Sequence, residues 1–324
     1  MKSISYKLLL PMLLLSSILL VGCDFRDVLD DYPVSGVDIR LNWKGVTENL
    51  PDGMRVIFYP KSEEGRKVDT YLSATGGEVK VPPGHYSVII YNYNTESVLI
   101  RDDESYETIE AYTGSCTGLN TKEEMVWSPD PLYVVSLDDV HIKKSDDVFL
   151  MEYKPEAVVK RYSFEIKVAG LYNVANIICS VGGMNGCYSL VKRSCGLSTV
   201  PVYVDTSKGD GVIKGSFAGF MLPKSAATRA DIPVMMTLKL VKLDNTVQEV
   251  KVDITKVVTP PPPDPGEEPG ENPDEDIPGT DVTIDIPLEE DIVVEDVKPG
   301  PGGDGGISGD VGDWGDEDNV ELPV

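Results

Sequence analysis

The chain has 324 residues, enough for two domains of ordinary size, and its 41% apolar content can build cores for both. Thirty glycines and 24 prolines favour strands and turns over long helices. The net charge of −25 excludes a nucleic-acid binder, which needs a basic face to displace counterions from a polyanion.

At the start, Lys2 and Lys7 precede an apolar run from Leu8 to Val21 that is too short for a comfortable membrane span, so residues 1–22 read as a signal peptide. The run closes on Leu20-Val21-Gly22-Cys23, which resembles the lipobox of bacterial lipoproteins. That resemblance implies that Cys23 carries a diacylglycerol thioether and becomes residue one of the mature chain. One acyl chain holds a protein to a membrane only marginally, and the three of a mature bacterial lipoprotein hold it firmly. The acids that follow, Asp24, Asp27, Asp30 and Asp31, resemble the export tag that carries lipoproteins of the Bacteroidota type to the outer face of the outer membrane. Residues 23–35 are then a lipidated tether, and no later stretch is apolar for long enough to cross a bilayer as a helix.

Period-two alternation of apolar and polar residues predicts half-buried antiparallel strands at Val37–Trp43, Met54–Pro60, Gly77–Asn94 and Pro131–Ile142. Turns at Pro-Asp-Gly, Gly-Gly and Pro-Pro-Gly separate them. Tyr86, Val88 and Ile90 share one face. A first β-sandwich over 36–152 follows. The pattern restarts at Tyr162–Gly170, Val174–Gly183, Cys187–Lys192, Gly211–Leu222, Val234–Asp244 and Thr246–Val258, which predicts a second sandwich over 153–258. Pro260 to Pro263 then stop any strand and favour an extended spacer.

Residues 259–324 hold 21 of the acids against Lys298 alone, a net of −20, which leaves −5 for everything before them. Most of such a tail is expected to be solvated and disordered. Two islands in it still alternate, Asp281–Ile286 and Asp291–Val297, and Trp314 stands in a glycine-rich acidic stretch. Val282, Ile284 and Ile286 give one apolar face, and Ile292, Val294 and Val297 a rougher second. A tethered strand of this kind is a candidate donor for an open sheet edge, in this molecule or a neighbour.

Chemistry-bearing motifs are absent. The chain has no Gly-x-Ser-x-Gly elbow, His-Glu-x-x-His helix, P-loop or dinucleotide fingerprint, and its two histidines, His85 and His141, read as surface or packing residues. The loop from Asp274 departs from a calcium-binding pattern at Pro278 and Asp285. Cys116, Cys179, Cys187 and Cys195 lack metal-ligand spacing. Cys179 and Cys187 flank the turn-like Gly-Gly-Met-Asn-Gly, which permits a disulfide across a hairpin, with buried thiols as the alternative. No catalytic residue, metal or cofactor is expected, and the chain does not read as an enzyme.

The lipobox, the acidic tether, Gly53–Pro60, Val81–Thr113 and Trp127–Val134 together resemble a family of Bacteroidota lipoproteins related to the fimbrillin-like proteins, including minor fimbrial anchor subunits. The resemblance runs from Val37 to about Val258. It implies an all-β fold of two tandem transthyretin-like β-sandwiches displayed at the cell surface from the outer membrane, and a structural, anchoring or adhesive role in a fimbrium. The partners it implies are the membrane, through the lipid, and fimbrial subunits or a host or bacterial surface ligand. The alternative is a surface glycan-binding lipoprotein of a nutrient-uptake system. Such a binder needs aromatic platforms, and Trp43, Trp127 and Trp314 are scattered one per region.

Overall fold

The computed structural model describes residues 35–46, 50–116, 124–145, 147–193, 199–221, 232–258 and 282–297. The first half holds β1 (Ser35–Leu41), β2 (Gly53–Pro60), β3 (Val68–Ser73), β4 (Gly76–Val81), β5 (Gly84–Asn92), β6 (Val98–Arg101), β7 (Glu110–Thr113), β8 (Tyr133–Ile142), β9 (Phe149–Tyr153) and β10 (Glu156–Ala157). The second half holds β11 (Val159–Ala169), β12 (Val174–Asn185), β13 (Cys187–Ser189), β14 (Thr199–Lys208), β15 (Val212–Phe220), β16 (Met235–Lys242) and β17 (Val247–Asp253), with β18 (Val282–Thr283) and β19 (Ile292–Val293) from the tail. The fold is all-β, and the helical residues described are the short turns Leu171–Asn173 and Thr255–Val258.

The first sandwich is one sheet in the order β10-β8-β5-β2-β3-β4-β1-β9, curled so that its two halves share a core. Alternate positions explain it. Met54, Val56 and Phe58 of β2 and Tyr86, Val88 and Ile90 of β5 point into that core, against Val37 and Ile39 of β1 and Val79 of β4. The intervening Ile57, Tyr59, Ile89 and Tyr91 are also buried, on the opposite face. A strand buried on both faces reads as a continuous apolar run, which is the sequence of Val88–Tyr91.

What covers that second face is a small sheet, β13-β7-β6, built from both halves of the chain. Tyr112, Ala111 and Glu110 pair with Cys187, Tyr188 and Ser189. Val158, Val159, Tyr188, Leu190, Ala218 and Phe220 complete the cluster from the second half. The two sandwiches therefore share one apolar cluster where they join.

The second sandwich runs β17-β16-β12-β14-β15-β11-β18, and β14 passes from one layer to the other: Val200–Val204 pair with β12, and Asp205–Lys208 with β15. Its core takes Tyr162, Phe164, Ile166 and Val168 from β11, Val202 and Val204 from β14, and Met236, Leu238 and Leu240 from β16. Residues 182–185 stay in β12 across a register shift between Val181 and Met184, where a turn was expected. Gly183 is the reason: its φ of +81° lets the chain bulge where a Cβ would meet the Pro233 carbonyl oxygen at 2.4 Å. The end of the last predicted strand, Thr255–Val258, is a helical turn begun by Asp253, whose carboxylate accepts from the Thr255 amide at 2.8 Å.

The joining point is at one end of the first sandwich. Ser35 lies opposite Val81, and Gly84 opposite Ile142, at the other end. Leu41 lies beside Tyr153, and the Val158 amide donates to the Leu132 carbonyl, where the chain enters the second sandwich. The start of β1 and the second sandwich are thus at opposite ends of the first.

Candidate functional site

β11 buries Tyr162, Phe164, Ile166 and Val168 and is paired on one side by β15 through nine residue pairs, Val159↔Phe220 to Lys167↔Val212. Its other side would be an open edge with a row of unmet backbone donors and acceptors. The tail takes it. Val282 and Thr283 pair in parallel with Tyr162 and Ser163, and the Ile284 amide donates to the Ser163 carbonyl at 2.8 Å. Further on, Ile292 and Val293 pair with Val168 and Ala169, and the Val294 amide donates to the Ala169 carbonyl at 2.8 Å. Ile284, Ile292 and Val294 are buried in the second core, with Val282, Ile286 and Leu288 packed against it.

Polar contacts fix the far end of this segment. Tyr172 donates its hydroxyl to Asp296 Oδ1 at 2.6 Å, Asn173 Nδ2 donates to the same oxygen at 3.0 Å, and Gln248 Nε2 donates to the Val293 carbonyl at 3.1 Å. The Tyr172 and Asn173 bonds hold the Asp296 carboxyl below the usual carboxylate range. At Gly170, φ is +72° and the position a Cβ would take lies 2.0 Å from the Val294 carbonyl oxygen, so the tail passes where only glycine leaves room.

Val282, Ile284 and Ile286 lie along β11 of their own molecule. Cys23 and Cys195 fall outside the described residues. Cys179 and Cys187 are not joined: Cys179 is fully buried on β12 between Val204 and Leu238, while Cys187, on β13 beside Tyr112, hydrogen-bonds through its thiol to Glu110. The hairpin that the pairing needed does not form, because β12 continues to Asn185 and delivers the two cysteines to different sheets. Burial pushes the Cys179 thiol up to about 12, which makes it inert at neutral pH. Gly170, Tyr172, Asn173, Gln248 and Asp296 were not foreseen. They are ordinary residue types in ordinary spacing, and only the docked tail gives them a common purpose.

Among the described residues the rest of the surface holds little reactive chemistry. A shallow concavity of about 370 Å³ beside the β11–β18 seam is lined by Ser163, Glu165, Asp205, Lys214, Ser216 and Thr283, and Lys214 Nζ sits 2.6 Å from Glu165. His85 and His141 stack with ring centroids 4.1 Å apart, His85 against Asp139. Among the described residues no group of three or more His, Cys, Asp or Glu side chains is placed to hold a metal ion.

The family model described as "Domain of unknown function (DUF5119)" matches residues 22–205, more than half of the chain. The chain belongs to the DUF5119 family. A Bacteroides ovatus protein named "Putative fimbrium anchoring subunit Fim4B" is 47% identical over 331 residues, covering 97% of each chain. The crystal structure of a "putative adhesin" from Bacteroides ovatus superimposes with a TM-score of 0.68 at 44% identity, covering 86% of this chain and 99% of that one. A second Bacteroides ovatus "putative adhesin" structure, at 10% identity and a TM-score of 0.51, covers 78% of this chain and 88% of its own and shares the fold alone. The all-β sandwich architecture of this DUF5119 chain is therefore shared with both of those crystal structures.

Proposed function

We propose that this protein is a lipid-anchored outer-membrane subunit that holds a fimbrium to the cell surface, a structural role without catalysis. The observation that carries the reading is the 47% identity, across 97% of both chains, to a protein named as a fimbrium anchoring subunit. The architecture suits it. The tether enters β1 at one end of the first sandwich, and the docked tail lies on the second sandwich, which joins at the other end. An anchor needs that polarity, with membrane at one end and partner at the other.

Attachment rests on Cys23. Cys23→Ala should move the protein from the membrane to the soluble fraction of lysed cells, and a variant that stays wholly in the membrane fraction overturns the lipid anchor. Protease added to intact cells should remove the wild-type protein, and full protection would place it inside.

Partnership rests on the tail. Burying a side chain such as Ile284, Ile292 or Val294 contributes about 1.5–3 kcal/mol, while fixing each backbone residue costs about 1–2 kcal/mol, so a segment held by two short parallel pairings is detachable. The spacer Pro260–Ile277 reaches on the order of 50 Å when extended, enough for the same strand to serve a neighbouring subunit. In amide hydrogen exchange the Ile284 and Val294 amides should be slow in the isolated protein and change their protection when a fimbrial subunit is added. Random-coil exchange in both states eliminates the donor-strand role.

A further inference from the structure

From the surface around Ser35 we infer that the protein has a second, non-covalent contact with the membrane. It is formed by Lys143, Lys144, Val148, Phe149 and Leu150, and it seats the first sandwich on the lipid surface. The inference rests on the lipid-anchor reading of Cys23 and goes beyond it.

Three consecutive apolar side chains face solvent here: Val148 is 53% exposed, Phe149 43% and Leu150 50%. Val148 precedes β9, and Phe149 and Leu150 begin it on opposite faces of the outermost strand of the first sheet, which pairs only with β1 among the described strands. Folded proteins usually blunt such an edge with charge or a bulge, and a contiguous apolar group left open marks a contact surface. Lys143 and Lys144 precede them and are exposed too.

Position names the occupant. Ser35 Oγ donates to the Lys143 carbonyl at 2.9 Å and accepts from the Ser145 amide at 3.4 Å, and β1 runs parallel to β9 with Val37 beside Phe149. The patch therefore adjoins the first residue of β1, twelve positions after Cys23. A twelve-residue chain spans at most about 40 Å fully extended and about 20 Å as a flexible coil. A lipid at Cys23 thus holds this end of the sandwich near the bilayer continuously, at high effective concentration.

Charge at this end is only mildly negative: the run from Lys143 to Leu150 is neutral, with two lysines against Asp146 and Asp147, and the tether before Ser35 adds Asp24, Asp27, Asp30 and Asp31 against Arg26, in a chain whose net charge is −25. Most of the excess lies in residues 259–324, and the described part of that tail is docked on the second sandwich, at the other end. A strongly acidic protein so built can approach an anionic surface end-on. Val148, Phe149 and Leu150 would enter the boundary between headgroups and acyl chains, with the lysine stems lying along it and their ammonium groups on lipid phosphates. Other exposed apolar side chains lack this placement. Leu243 and Val247 flank a hairpin of the second sandwich, and Tyr71 sits three strands away, towards the Leu41 end.

The test uses the full mature chain with Phe149→Trp, read against the unsubstituted chain, on vesicles of phosphatidylethanolamine and phosphatidylglycerol with brominated acyl chains. Flotation of the chain with Cys23 intact, and not of Cys23→Ala, reports the lipid anchor by itself. In floating protein the emission added by Phe149→Trp should be lost to the brominated chains, as for a side chain at the headgroup boundary, while that added by Tyr71→Trp is not. An introduced indole on β9 that stays unquenched in floating protein overturns the inference and leaves the anchor standing. So does one that lipid does not reach but an added fimbrial subunit shields, since β9 would then be an edge for a partner's strand. If the chain with Cys23 intact does not float, anchor and seating fall together.

Discussion

Phe220→Ala should lower stability by about 3–5 kcal/mol, the range for removing a buried phenylalanine from a core that cannot collapse around the gap. Phe220 is 1% exposed and stacks on Tyr188 with ring centroids 6.1 Å apart. It belongs to the cluster that joins Ile57, Tyr59, Ile89 and Tyr91 of the first sandwich to Val159 and Leu190 of the second half. Its loss strikes the junction as well as a domain. Two tryptophans read the two sides: Trp43 contacts Tyr133 of the first sandwich at 5.1 Å between centroids, and Trp127 contacts Tyr203 on β14 of the second at 5.5 Å. In chains that keep one tryptophan at a time, denaturant should unfold both probes in one transition in the parent and in two separated transitions in Phe220→Ala. Coincident transitions in both, with a loss below about 1 kcal/mol, would mean that the shared cluster does not couple the sandwiches.

For an anchor of the kind proposed above, a coupled junction would carry load from the second sandwich to the start of β1 without a hinge. The sequence shows why the junction was hard to read. Alternation marks Val56 and Phe58 as one face of a strand, and it also marks Ile57 and Tyr59 as the other, which argues only that both faces are covered. Nothing local says that the cover is β6, β7 and β13, because that sheet pairs Ala111 with Tyr188, 77 positions apart. β3, β9 and β14 were missed for a related reason. Val68–Ser73 alternates exposed with half-buried positions and buries none fully, Phe149–Tyr153 is exposed at three of five positions, and Thr199–Lys208 passes between two layers, so none has one fully buried apolar face. Strands half-buried on a single core, such as Tyr162–Gly170, were plain from alternation alone.

The tail was legible in part, since period two at Val282, Ile284 and Ile286 points to a strand without saying where it docks. The cysteines illustrate the opposite error. Glycine-rich Gly182–Gly186 reads as a turn, yet Gly182 and Gly183 serve a bulge within β12, and a disulfide argued from the turn has no hairpin to close.

Gly170→Ala should release the end of the tail from β11. The substituted Cβ would lie 2.0 Å from the Val294 carbonyl oxygen and 3.1 Å from its carbon, well inside contact distance, and the obstacle is backbone that cannot swing aside as a side chain does. The tail must therefore move, which breaks the Val294–Ala169 hydrogen bond and draws Ile292 and Val294 out of the core. Alanine also suffers at φ +72°, by about 1 kcal/mol, so the clash has to be separated from the strain. Gly211 provides the control, because its φ is +70° and its Cβ position meets only the Val168 carbonyl oxygen, at an ordinary 3.7 Å. Gly211→Ala should lower the melting temperature slightly and leave exchange at Val294 slow. Gly170→Ala should bring the Val294 amide close to random-coil exchange and speed Ile284, with the Cys179 and Leu238 amides in the core of the second sandwich still protected. It should also bind a fimbrial subunit faster if the freed strand is what the partner takes up, because the cis pairing no longer has to open first. Slow exchange at Val294 in both variants would show that the clash at Gly170 does not displace the tail, whereas random-coil exchange in both would show that β11 does not hold it in solution, and the donor strand would then have to be sought elsewhere in the chain.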